Sequence, residues 1–173
     1  MAEIKPGVRG GMEDMMVDTA NLLAEVASDD LASGQLARDA SQSRFAQRVR
    51  HYATRPIDAG IWGFSKQSLD FRVYVTDHQG RVLFDSENQA VGADYSQWRD
   101  VARTLRGEYG ARSTREVAGD DTSGVMHVAA PIYVDERIAG VLTVAKPTRT
   151  VQRFIDRAER KVFMGGLLLL ALS

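Results

Sequence analysis

Arginine is the residue type through which this chain most openly offers chemistry. Arg99, Arg103, Arg106, Arg112 and Arg115 crowd into one stretch. A guanidinium is a planar fork of donors that matches a carboxylate or a phosphate. Residues 111–117 alternate as a strand would, with Arg112 and Thr114 on one face and Ser113 and Arg115 on the other. The same parity groups Arg72 with Tyr74 and Thr76, and His127 with Ala129. Arg99 and Arg103 fit a solvated helix face as well as an anion contact. Arg112, among polar residues of a strand, fits a ligand contact or a buried ion pair. His127 fits a satisfied core histidine or a ligand group, and Trp98, on an apolar stripe, reads as core rather than as part of an aromatic cage.

Other chemistries find no footing. The chain has no cysteine, which removes disulfides, thiolate nucleophiles and thiolate metal sites. His51, His78 and His127 lack metal-ligand spacing. No serine elbow and no phosphate-binding glycine loop occurs. Asp120 and Asp121, in a Gly/Ser/Thr-rich turn, fit solvated carboxylates better than a cation site. A formal net charge of -1 argues against nucleic-acid binding. No cofactor is implied.

The elements that must position these residues follow from periodicity. After Lys5-Pro6-Gly7, a start signal, Val8, Met12, Met15, Thr19, Leu22 and Val26 recur in steps of four and three. That period of 3.5, the period of a coiled-coil seam, predicts a long helix reaching about Ala27. The stripe packs on the domain's own sheet, or pairs with its copy in a dimer, or both. Ser28-Asp29-Asp30 and Ser33-Gly34 are expected to break it, and a second helix is expected over 41–54, ended by Arg55-Pro56. Residues 56–69 read as loop, with Ile61, Trp62 and Phe64 sealing a core edge.

Phe71, Val73 and Val75 alternate with Arg72, Tyr74 and Thr76, predicting a strand with one buried face. A turn at 77–80 and a returning strand at 81–85 follow. Asp94 with Gln97 resembles a capping box, opening a helix over 94–106. Strands are expected at 111–117, 125–134 and 137–145, the last two joined tightly through Asp135-Glu136. Residues 148–163 then read as an exit helix. The expected fold class is α+β: one domain, a long N-terminal helix on a five-stranded, mostly antiparallel sheet.

At the ends, no signal peptide or apolar run opens the chain, and Met1-Ala2 reads as an expression start. The apolar run at 162–173 is shorter than the roughly 20 residues a bilayer requires. It is expected to be the start of a truncated transmembrane helix, leaving 1–161 as an extracytoplasmic domain. Arg153, Arg157, Arg160 and Lys161 before it stand on the side that the positive-inside rule assigns to the cytoplasm, a conflict with that orientation.

Four stretches carry a resemblance: IKPGVRGGMEDMMVDTANLLAEVA from Ile4, YVTDHQGRVLFDS from Tyr74, VGADYSQWRDVARTLRGEYGARSTRE from Val91 and VMHVAAPIYVDERIAGVLTVAKP from Val125. The sequence resembles the periplasmic domain of CreC-type sensor histidine kinases, whereas residues 28–70 match poorly. The resemblance implies a single Cache (PDC-like, PAS-related) domain in the periplasm, held in the bacterial inner membrane between two transmembrane helices. It also implies a cytoplasmic kinase core that phosphorylates a response regulator of the CreB type. The fragment has no phosphoacceptor histidine motif and no ATP box, so it is not itself expected to be an enzyme.

In Cache domains the pocket lies on one sheet face, beneath the helix that joins strands two and three. Carried onto this chain, the resemblance points to Tyr74, Arg106, Tyr109, Arg112, Thr114 and His127 around a small anion, a carboxylate for example. Expected partners are therefore that ligand, a second copy through the N-terminal helix, the membrane through flanking helices, and the response regulator only through the absent cytoplasmic part. A ligand-free dimerisation or partner-binding module is the alternative. A small extracytoplasmic hydrolase finds no residues at catalytic spacing.

Overall fold

The computed structural model describes residues 4–61, 63–67, 70–120 and 123–148. The exit helix expected beyond Thr148, the apolar tail at 162–173 and Trp62 lie outside the described residues. Among the described residues no helix is long and apolar enough to cross a membrane.

Helix α1 (Ile4–Ala32) leads into the short α2 (Gln35–Arg38) and, after a single 3-10 turn, into α3 (Arg44–Ala53). The expected break at residues 28–30 does not occur. Asp30 does not turn back on its own backbone; it accepts from the Ser43 hydroxyl at 2.5 Å and the Phe45 amide at 2.9 Å, tying α1 to the start of α3. The chain turns at Gly34 instead, whose φ of 78° suits a residue without Cβ. Ser43 caps α3 by accepting from the Ala46 amide.

Residues 56–69 are not wholly loop: β1 (Ala59–Ile61) and β2 (Phe64–Lys66) form a small antiparallel ribbon. Ile61 is exposed there and seals nothing. The main sheet contains β3 (Arg72–Asp77), β4 (Val82–Asp85), β5 (Gly110–Arg115), β6 (Gly124–Val134) and β7 (Arg137–Pro147). Its order is β4-β3-β7-β6-β5, every pair antiparallel. The expected α+β architecture, a long helix on a five-stranded sheet, is the observed one. β6 and β7 join through Asp135 and Glu136 at φ of 50° and 65°, the left-handed pair that a two-residue hairpin requires.

The sheet is covered on both faces. Val73, Val75, Phe84, Val128, Ala130, Leu142 and Val144 pack against α1, α2 and α3. Tyr74, Val82, Ala129 and Val141 pack on the other side against Ala90 and Val101. β3 is consequently buried on both faces rather than one, because α4 (Arg99–Leu105) and the segment before it lie over Tyr74.

α1 meets the sheet through Met16, Ala20, Ala24 and Ala27. Met12 of the 3.5-period stripe packs against the core, whereas Met15, Leu22 and Val26, half of it, point to solvent at 65%, 65% and 57% exposure, so the stripe only partly coincides with the face packed on the sheet. Small residues let helix and sheet approach closely. At Gly140 of β7 an added Cβ would collide with the Thr76 carbonyl oxygen and crowd a Leu31 methyl of α1.

Candidate ligand site beneath helix α4

The site face is fixed by register. Tyr74 of β3 lies opposite Thr143 of β7, and His127 of β6 lies opposite Arg112 of β5. Their side chains rise on the same side of the sheet, toward α4. α4 begins at Arg99, with Trp98 as N-cap and no side-chain cap, rather than at a capping box. Asp94 instead accepts from the Ser96 amide and bridges backbone to Arg81. At the far end, Gly110 brings α4 down onto β5. A Cβ there would collide with the Asp100 carbonyl oxygen and the Thr104 hydroxyl.

Asp100 is the centre of the arrangement, with no exposed surface. Its Oδ2 accepts from the Tyr74 hydroxyl at 2.5 Å and from the Thr143 hydroxyl at 2.8 Å. Its Oδ1 accepts from Arg112 Nε at 2.6 Å. A second nitrogen of Arg112 donates to the Tyr74 hydroxyl at 3.2 Å. Burial works against charge on Asp100, yet the Arg112 charge and the Tyr74 and Thr143 hydrogen bonds outweigh it and hold the carboxyl below its ordinary range. Burial first, then the Asp100 charge, pushes the Tyr74 phenol well above its usual value.

His127 completes the network. Its Nδ1 lies 3.4 Å from the Tyr74 hydroxyl and its Nε2 3.2 Å from the Thr114 hydroxyl. Tyr74 commits its one proton to Asp100, so Nδ1 carries the ring proton and Nε2 accepts from Thr114. Burial, then the Arg112 charge, lowers the His127 pKa to about 4, so the ring is neutral at pH 7. The cluster thus holds one carboxylate, one guanidinium and two neutral rings, with no net charge.

Four of the residues expected from sequence, Tyr74, Arg112, Thr114 and His127, meet here. Arg106 and Tyr109 do not. α4 ends at Leu105, and the chain turns through Gly107 at a φ of 80°. Arg106 is exposed and pairs with Glu108. Tyr109, half exposed, donates to Glu13 of α1 at 2.8 Å, linking the α4–β5 corner to the long helix.

Trp98 is not core. It is 43% exposed, lies beneath the Arg112 guanidinium carbon at 4.2 Å from its ring centroid, and meets Tyr95 at a 50° tilt with centroids 5.2 Å apart. Asp100, Thr143 and Tyr95 were not foreseen, although Thr143 interrupts an apolar strand and Asp100 shares a helix face with Thr104. Arg72 faces the same side but is committed to Asp85, through bonds of 3.0 and 2.7 Å. Among the described residues no cluster of His, Asp or Glu could hold a metal ion.

No protein-family model matches the chain. The sensor protein CreC of Escherichia coli (strain K12) is 47% identical over 171 residues, covering 99% of this chain and 35% of CreC. The chain therefore spans about a third of the length of the curated relative that it matches. The sensor domain of the V. cholerae histidine kinase DctB superposes with a TM-score of 0.60 at 14% identity, over 88% of this chain and 55% of that one. The E. coli DcuS sensor domain does so with a TM-score of 0.54 at 19% identity, over 83% of this chain and 97% of that one. At such identities the structural likeness speaks for the fold alone. At 47% identity over 99% of its length the chain is homologous to the corresponding third of the sensor protein CreC, and its α+β fold is the one shared by the DctB and DcuS sensor domains.

Proposed function

We propose that this domain senses a small carboxylate beneath α4 and relays its binding through membrane helices to a cytoplasmic histidine kinase core, which phosphorylates a response regulator. The observation that carries the reading is the convergence of Arg112, Tyr74 and Thr143 donors on one carboxylate position. Three donors from three strands of a rigid sheet make a preorganised carboxylate receptor. The Tyr109–Glu13 bond supports relay, since a shift of the α4–β5 corner pulls on α1. A ligand changes the balance of two states only by its unequal affinity for them.

A thermal-shift screen of small carboxylates, phosphates, sugars, cell-wall fragments and divalent cations tests this. The expected result is a saturable rise with carboxylates that is lost in Arg112→Lys, which keeps the charge and removes the fork. A rise with another class alone, or one that persists in Arg112→Lys, would overturn the reading.

The exposed stripe of Met15, Leu22 and Val26 supports a second reading alongside the first, self-association through α1. Its spacing suits a two-helix seam. Leu22→Glu is expected to convert a dimer to a monomer in sedimentation velocity. Identical sedimentation of the two proteins would remove the seam.

A further inference from the structure

The donor set just described is already occupied, and its occupant belongs to the chain. Asp100 presents a carboxylate to Arg112, Tyr74 and Thr143 with short, charge-assisted geometry and no exposed surface. The same few residues supply the cover: the Arg112 guanidinium carbon lies over the ring of Trp98, two positions before Asp100, 4.2 Å from its centroid. Arg112 is therefore held by Asp100 at Nε and by the Trp98 ring, both from the start of α4. That start has no side-chain cap to anchor it independently. Its attachment to the sheet combines these contacts with the burial of Val101.

We infer that Asp100 is a built-in carboxylate occupying the ligand's subsite, so that a ligand carboxylate binds by displacing Asp100 and freeing the first turn of α4. The inference rests on the sensing function proposed above and specifies how that site is regulated. Charge counting requires the exchange. The cluster is neutral with Asp100 in place, and a second carboxylate beside it would leave two negative charges against the one guanidinium of Arg112, since Arg72 is spent on Asp85. Exchange preserves neutrality and moves Asp100 and Trp98 together. It also sets a chemical requirement. A tethered competitor acts at a high effective concentration, so a bare monocarboxylate does not win. The ligand must carry a second polar group able to engage the neutral His127–Thr114 pair next to Tyr74.

Formate is the probe, because Asp100→Ala deletes one carboxylate group and formate restores one. Melting temperatures of the wild-type domain, Asp100→Ala and Asp100→Ser are measured in sodium formate against sodium chloride of equal ionic strength. Both variants are expected to gain a saturable, formate-specific rise of about 5 °C or more at roughly a hundred times its Kd, whereas the wild type gains none. Asp100→Ser also vacates the carboxylate position and reads the same effect should Asp100→Ala fail to fold. Equal responses to formate and chloride in the variants, or a wild-type rise as large as theirs, would overturn the inference. The carboxylate screen of the wild type is a separate readout: a hit there with silent variants leaves the sensing site standing and removes only the displacement of Asp100.

Discussion

Arg112→Ala is expected to cost about 3–5 kcal/mol of stability, the range for removing one partner of a buried ion pair. The side chains of Arg112 and Asp100 are 10% and 0% exposed, so water compensates neither when the other is lost. The cost arises at Asp100. Tyr74 and Thr143 still donate to it, but its charge is left buried without a counter-charge. That charge can be discharged by a proton. Asp100 sits below the ordinary carboxylate range because Arg112 and its hydrogen-bonding partners overcome the burial that opposes charge. Without Arg112 its pKa must rise, so the gap in stability between variant and wild type narrows as pH falls. Urea unfolding at pH 7 and pH 4.5 measures both effects. A loss under 1 kcal/mol at pH 7 would mean that the pair behaves as a solvated surface bridge. Coupling to Asp100 is read from a double-mutant cycle with Asp100→Asn, where a shared network gives a non-additive sum.

How legible this site was in the sequence depended on how local each determinant is. Tyr74, Arg112, Thr114 and His127 share a face because side chains alternate along strands, a period visible in a few residues. Asp100 was hidden because its role depends on a helix that brings it to donors from three different strands. In sequence it is one acid among arginines, readily taken for part of a solvated face. Arg106 and Tyr109 were misplaced because the chain reverses at Gly107, just past the end of α4 at Leu105, and turns both outward. The α1 stripe misled for a packing reason. Bulky residues mark a hydrophobic seam, but a helix seated closely on a sheet selects small ones, and the buried face is set by Ala20, Ala24 and Ala27. The bulky stripe remained for solvent or a partner. The tight β6–β7 join, by contrast, was readable because so short a connection between two apolar runs leaves only a hairpin turn.

His127 predicts the steepest pH dependence in the molecule. Its folded pKa of about 4, set by burial and then by the Arg112 charge, lies below the value near 6.5 of an unfolded histidine. Between those two values the unfolded chain binds a proton that the folded site refuses. Stability is therefore fully present above pH 6.5 and is lost as pH falls toward 4, by about 3 kcal/mol in all. The lowered carboxyl pKa values of Asp30, Asp85 and Asp100 act in the same direction, but from the ordinary carboxylate range downward, which leaves the upper window to the histidine. His127→Gln keeps a polar group beside Thr114 and removes the titration. Urea midpoints measured from pH 7 to pH 4.5 should fall steeply in the wild type and stay nearly level in His127→Gln. Equal slopes would mean that the ring takes up its proton inside the fold, with Asp100 as counter-charge.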